Sequence, residues 1–160
     1  MKMSEGVEWA LHCCLTLAWL GRDDAAVPTS RLAAAFELPP AYLNKCLQLL
    51  VKAGILASSA GVKGGFRLAR APQQITLLEV VTAIEGPESA FRCTEIRQRG
   101  AGATAAPGEF ARPCGIAAAM HRAEAAWRRE LAAQTVADLL RAAPPTASER
   151  LRCWQLAQAR

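Results

Sequence analysis

From Val7 to Leu20 apolar residues recur with a helical period: Val7, Leu11, Cys14 and Ala18 share one stripe, while Cys13, Leu17 and Leu20 occupy much of the opposite side. The spacing predicts a helix from a Ser4 cap to about Leu20, ended by Gly21-Arg22-Asp23-Asp24 and buried on several sides. Glu8 and His12 interrupt it one helical turn apart on a shared face, and polar groups on a buried helix need partners. Between Pro28 and Phe36, Thr29 or Ser30 is placed to cap a short second helix with Leu32, Ala33 and Phe36 inward. Leu38-Pro39-Pro40 then forces a turn into a third helix, Ala41 to Ala53. That helix turns Leu43, Leu47, Leu50 and Val51 inward and Tyr42, Asn44, Lys45, Gln48 and Lys52 outward, and Gly54 closes it. Two helices about a tight turn, the second polar on its outer face, form a helix-turn-helix pattern. Ile55 to Ser58 and Phe66 to Ala69 partly alternate around a glycine-rich tip, Ala60 to Gly65. A hairpin directly after a recognition helix is a wing.

Pro72 ends the wing, and Thr76 caps a helix bearing Leu77, Leu78, Val80, Val81 and Ile84, stopped by Gly86-Pro87. From Cys93 to Cys114 glycine, proline and small residues dominate, so no regular element is expected there. A connection of about 20 residues without structure points to a functional loop. Beyond it, Ile116, Met120, Ala123, Trp127 and Leu131 recur at helical spacing within a pattern reaching Leu140. A helix of roughly 25 residues and about 38 Å outreaches a small domain, so its stripe is expected to pack on another subunit. A two-fold homodimer would set two recognition helices on a palindromic operator in double-stranded DNA. Ala142 to Pro145 form a break, and Ser148 caps a short terminal helix with Leu151, Trp154 and Leu156. The expected organisation is a winged helix-turn-helix DNA-binding domain over residues 1–86, a cysteine-bracketed loop over 87–114, a dimerisation helix over 115–141 and an extension over 142–160. The fold class is mainly α with a small β-hairpin wing.

Composition narrows the partners more than it alters the fold. Hydrophobic residues make up 52% of the 160, much of it alanine, which builds helices without filling volume. A net charge of +5 is a modest excess that admits an acidic partner such as DNA. The residues placed to meet it are Thr29, Ser30 and Arg31 in the second helix, Tyr42, Asn44, Lys45 and Gln48 in the third, and Lys63, Arg67 and Arg70 on or beside the wing. No signal-peptide pattern opens the chain, and the Val7–Leu20 run is too short to span a bilayer, so a cytoplasmic location with no membrane association is expected. There, the six cysteines are expected as core residues, metal ligands or redox sensors rather than structural disulfides. No catalytic constellation appears, so the chain is read as a non-enzyme.

The Tyr42-Leu43 step, Ala53-Gly54-Ile55-Leu56, the wing from Gly61 to Arg70, Ile75-Thr76 and Ile84-Glu85-Gly86-Pro87 resemble the IscR/NsrR-type winged-helix regulators over about Met1 to Leu140. The resemblance implies a dimeric transcription regulator, and for many members an iron–sulfur cluster in the cysteine loop. Glu8-Trp9-Ala10-Leu11-His12-Cys13-Cys14 and Cys93-Thr94-Glu95-Ile96-Arg97-Gln98-Arg99-Gly100 are similar to a redox-sensing member of that family. That similarity implies a 2Fe-2S cluster with mixed cysteine, histidine and glutamate ligation. Cluster-bearing members commonly carry three loop cysteines, whereas only Cys93 and Cys114 stand here. Two thiolates leave a four-ligand site half made. Glu8 and His12 are the candidates for the remainder, from the same chain or, as the resemblance implies, from the other subunit, and Trp9 would shield or gate the cluster.

Without the resemblance, His12 reads as a core histidine bonded to a carbonyl, Glu8 equally as half of a salt bridge, and Trp9 as packing. Cys13, Cys14, Cys46 and Cys153 are assigned to structure. Two other chemistries stay open: a structural zinc at Glu8, His12, Cys93 and Cys114, and a thiol-disulfide switch of Cys93 with Cys114, the latter without a Cys-x-x-Cys motif.

Overall fold

The computed structural model describes residues 3–21, 26–61, 64–106 and 108–158. They fall into two compact units, one formed by Lys2–Pro87 with Leu131–Arg160, the other by Glu88–Glu130. Among the described residues, no helix is long and apolar enough to cross a membrane.

In the larger unit, helix α1 (Glu5–Leu20) buries Val7, Ala10, Cys13, Cys14, Thr16 and Leu17. Burial is one-sided rather than all round: Glu8 and His12 lie exposed, so neither carries the desolvation cost expected of a polar group on a buried helix. Ser4 stands at the N-cap position but does not cap. Its N–H and hydroxyl instead donate to Glu85 Oε1 at 2.8 and 2.6 Å, tying the start of α1 to the end of α4 (Leu77–Glu85). These bonds hold the Glu85 carboxyl below its ordinary range, so this tie contributes above that range and is lost as pH falls through the lowered value.

Helix α2 (Thr29–Ala35) starts one residue after Pro28, which puts Thr29 and Ser30 in its first turn rather than at the cap. Helix α3 (Pro40–Lys52) opens on a proline and buries Leu43, Cys46, Leu47 and Leu50. It closes through Gly54 at φ +69°, with Gly54 N–H donating to Val51 and Ile55 N–H to Leu50. Strands β1 (Leu56–Ser59) and β2 (Gly65–Leu68) pair antiparallel with Leu56 opposite Leu68, one residue away at each outer end from the expected runs. Val27 adds a bridge to the hairpin, exchanging two 2.9 Å hydrogen bonds with Phe66. Leu32, Leu43, Leu47, Leu50, Ile55, Ile75, Val80 and Val136 are fully buried and form the core with Cys13 and Cys14.

The single long helix expected from Ile116 to Leu140 is two helices, α5 (Gly115–Ala133) and α6 (Val136–Ala142). Thr135 makes the break. Its hydroxyl accepts from Asp138 N–H at 3.2 Å while Asp138 returns to Thr135 N–H at 2.7 Å, a complete capping box. Leu77 N–H to Gln134 and Val136 N–H to Ile75, both 2.9 Å, fasten this corner beside the matching capping box of Thr76 and Glu79. Thr135→Ala is expected to cost about 1 kcal/mol, read as a lowered denaturant midpoint at unchanged slope. Helix α7 (Ala147–Gln158) has Ser148 inside it rather than at its cap, half-buries Leu151 and Trp154 and leaves Leu156 exposed.

In the smaller unit, the loop expected to be irregular carries two 3-10 turns, Ile96–Gln98 and Gly100–Thr104. Glu124 on α5 binds the Ser89 hydroxyl and Arg128, and Arg128 also reaches the Glu88 carbonyl at 3.2 Å. The stripe expected to be covered is open at Ile116 and Met120, 68% and 44% exposed.

Candidate functional site

Helices α2 and α3 and the wing present a polar surface in which Ser30, Arg31, Tyr42, Asn44, Lys45 and Gln48 are exposed. Thr29 is half-buried, and its hydroxyl donates to Asn44 Oδ1 at 3.4 Å, joining the two helices at this surface. A concavity of about 390 Å³ runs between α3 and the hairpin, lined by Thr29, Asn44, Gln48, Ser58 and Ser59 among others. No carboxylate lies on α3, so the face offers donors and a cation to phosphate. Arg67 is exposed on β2, and Lys63 lies outside the described residues. Arg70 does not fit the DNA-contact role expected of it. Its guanidinium is held by the Gly54 and Gln74 carbonyls and by Glu79 at 3.2, 2.8 and 2.8 Å, so it clamps the base of the wing. Lys45→Ala is expected to weaken binding to specific and unspecific duplexes alike and to reduce the salt slope of log Kd by about 1, measured by titration across ionic strengths.

In the smaller unit Cys93 is exposed and Cys114 buried at 8%, both as free thiols. Cys114 immediately precedes α5, where the backbone N–H of Ala117 holds its thiol below the usual range against the effect of burial, with Ile116 N–H, Arg97 and Cys93 assisting. Arg97 organises the loop. It binds Glu95 at 2.8 Å, donates to the Arg112 carbonyl at 3.2 Å and lies over the Phe110 ring at 5.3 Å. Glu95 adopts a left-handed conformation at φ +48° and accepts from the Cys93 thiol at 3.7 Å. A cation beside two sulfurs with helix N–H groups behind one of them is a setting for thiolate.

Glu8 and His12 occupy one exposed face of α1 and have no hydrogen bond or ion pair among the described residues. The His12 ring stands 5.4 Å from that of Phe36 at the end of α2, and Trp9 meets Tyr42 of α3 edge-on at 5.2 Å and 88°. This face of α1 therefore touches both helices of the DNA-reading pair. Trp9 is half-buried against the core, the position of a packing residue. Cys93 and Cys114 belong to one compact unit and Glu8 and His12 to the other, and among the described residues no three His, Cys, Asp or Glu side chains are gathered as for a metal. Burial pushes the Cys13 and Cys14 thiols up to about 12, leaving them inert, and raises that of Cys46 as well. Neither the role of Arg97 nor the contact of the inward-facing Phe36 with His12 is visible in the sequence. An arginine among many and a phenylalanine at a helix end carry no local mark of such roles.

Comparison with known proteins supports the winged helix-turn-helix fold. The model of the Rrf2 family, described as iron-dependent transcriptional regulators, matches residues 3–142. One Bacillus subtilis relative, 36% identical over 92 residues, is matched over 58% of either chain. The HTH-type transcriptional regulator NsrR of Geobacillus kaustophilus is 31% identical over 140 residues, 88% of this chain and 90% of that one. The solved structure of CymR, the global cysteine regulator of B. subtilis, shares the fold at a TM-score of 0.67 and 22% identity, over 90% of this chain and 99% of CymR. The chain therefore belongs to the Rrf2 family of transcriptional regulators, and its winged helix-turn-helix is a DNA-binding module rather than part of an enzyme.

Proposed function

We propose that this regulator acts as a cytoplasmic homodimer on a palindromic operator and adjusts its affinity through a 2Fe-2S cluster held by Cys93 and Cys114 of one subunit with Glu8 and His12 of the other. The observation that carries the reading is that Cys93 and Cys114 are free thiols of one compact unit beside Arg97, with the Cys114 thiol held below its usual range by the Ala117 N–H. The donor set fits the group. Two sulfurs of one loop supply half of a four-ligand site, and a carboxylate and an imidazole on one open helix face, with no hydrogen bond or ion pair among the described residues, supply a second half. A bound cluster of this kind supplies reversible one-electron chemistry, at a potential raised by imidazole in place of thiolate. Arg97 balances the thiolate charge, Cys114 is held by the N-terminal turn of α5, and Glu8 and His12 are positioned by α1.

Transmission to DNA rests on α1. Trp9 against Tyr42 and His12 against Phe36 join the ligand-bearing face to α3 and α2, so a shift of α1 alters how the two reading heads of a dimer are spaced. His12→Ala is expected to change or abolish the visible spectrum of anaerobically purified protein while leaving the fold intact, because the ring is exposed. An unchanged spectrum removes His12 from the site. Footprinting with oxidised, reduced and cluster-free protein should show different operator occupancy among the three, and identical protection would refute redox control.

A second reading draws on the same thiol pair: a disulfide switch between Cys93 and Cys114. That the two thiols share one loop beside Arg97 favours it, as does the fold shared with a cysteine regulator. Mass spectrometry of oxidised protein for a Cys93–Cys114 bridge separates it from the cluster reading.

A further inference from the structure

A pocket of about 480 Å³ lies within the larger compact unit, between α1, the end of α2 and α7. Its volume is in the range of small-molecule sites. The walls are Leu15, Trp19, Phe36, Leu151 and Trp154, with Arg150 at the edge. Three of these are aromatic, which suits a flat ring, and none of the lining residues is acidic. Arg150 is exposed, and its guanidinium has no ion pair among the described residues. Thr16, also in the lining, keeps its hydroxyl buried without a hydrogen-bond partner among the described residues, a cost that a polar atom brought to it would offset. The α7 wall lies beyond the residues matched by the family model, which end at 142, so the pocket is not assembled from the family's matched segment alone.

We infer that this pocket binds a small aromatic carboxylate, its ring between Trp19, Phe36 and Trp154 and its anion on Arg150. Cation and aromatic walls together select this class over a neutral apolar molecule, which would leave Arg150 unused, and over an aromatic cation, which Arg150 repels. The occupant would act as an effector. Phe36 ends α2, and His12 also lines the pocket, so filling it bears on the DNA-reading helices directly. The pocket shares His12 with the proposed cluster site, but the residues that carry the inference, Trp19, Phe36, Trp154 and Arg150, are not ligands in that reading.

Calorimetric titration of the full-length chain with naphthaleneacetate and with its uncharged counterpart naphthaleneethanol tests it. Saturable binding of both is expected, the anion tighter. Arg150→Gln should weaken the anion about fivefold, the worth of a partly exposed ion pair, and leave the alcohol unchanged. Ala147→Phe, which fills the pocket from α7, should abolish both. Because Arg150 is exposed, its variant keeps the test decisive even if the filled variant folds poorly. Absence of binding to the wild-type chain overturns the inference, as does equal weakening of anion and alcohol by Arg150→Gln. Binding only at dilutions where the protein is monomeric would show that a second copy of the chain fills the pocket, and overturns it too.

Discussion

Cys114→Ala protein purified without oxygen is expected to be colourless and free of iron and sulfide while retaining its fold. Cys114 holds the more constrained of the two loop thiols, buried at the start of α5 with backbone N–H groups of Ala117 and Ile116 directed to it. Its loss leaves Cys93 exposed and without its thiol partner, and a lone sulfur cannot anchor a cluster that already borrows half its ligands. The structural cost is small, because Cys114 lies outside the main core cluster; about 1 kcal/mol is the typical scale for such a change. Thermal unfolding near the wild-type apo value, together with complete loss of colour, separates loss of ligation from loss of fold. A red-brown Cys114→Ala protein would remove the thiol from the site. The disulfide reading also predicts an effect of this variant, but only the cluster reading predicts a matching loss in His12→Ala.

Gly65→Ala is expected to be the most damaging single methyl in the DNA-binding unit. A Cβ at Gly65 would stand 2.4 Å from both the carbonyl carbon and oxygen of Val27 and 2.7 Å from Pro28 N, closer than side chains approach backbone. The strand must move away, and the two hydrogen bonds between Val27 and Phe66 that hold the wing to the domain are lost with it. The combined overpacking and lost bridge should cost on the order of 2–3 kcal/mol. Operator affinity should fall by about tenfold or more, since a wing displaced by this much no longer tracks the backbone reached by α3. Denaturant unfolding and duplex titration check the two effects independently. A loss under about 0.5 kcal/mol, the ordinary scatter for surface changes, would mean that the wing is not fastened through Val27.

Much of the DNA-reading module was legible because glycine and proline mark its joints. Pro39-Pro40 opens α3, Gly54 closes it, and Gly86 ends α4. The hairpin was legible as a hairpin, its strands each lying one residue nearer the tip than the expected runs. The break between α5 and α6 was missed because the apolar stripe runs across it without glycine or proline. Its signal is a capping box, Thr135 with Asp138 three residues on; at Thr76 the cap was expected but not its Glu79 partner. The exposure of Glu8 and His12 was obscured by the apolar residues around them, since helix content alone does not say which side faces the core. Arg70 looked like a DNA contact because it follows the wing; only the fold brings Glu79 and the Gly54 carbonyl to it. The two loop cysteines were legible as a pair of candidates, but the cation beside them depends on how the intervening residues turn, which begins with a left-handed Glu95.

The most direct measurement is the iron, acid-labile sulfide and zinc content of the wild-type chain purified without oxygen, taken with its visible spectrum. The expected result is a red-brown protein with iron and sulfide in equal amounts and no stoichiometric zinc. Zinc without iron or sulfide, or a colourless protein that takes up no iron on reconstitution, would contradict it.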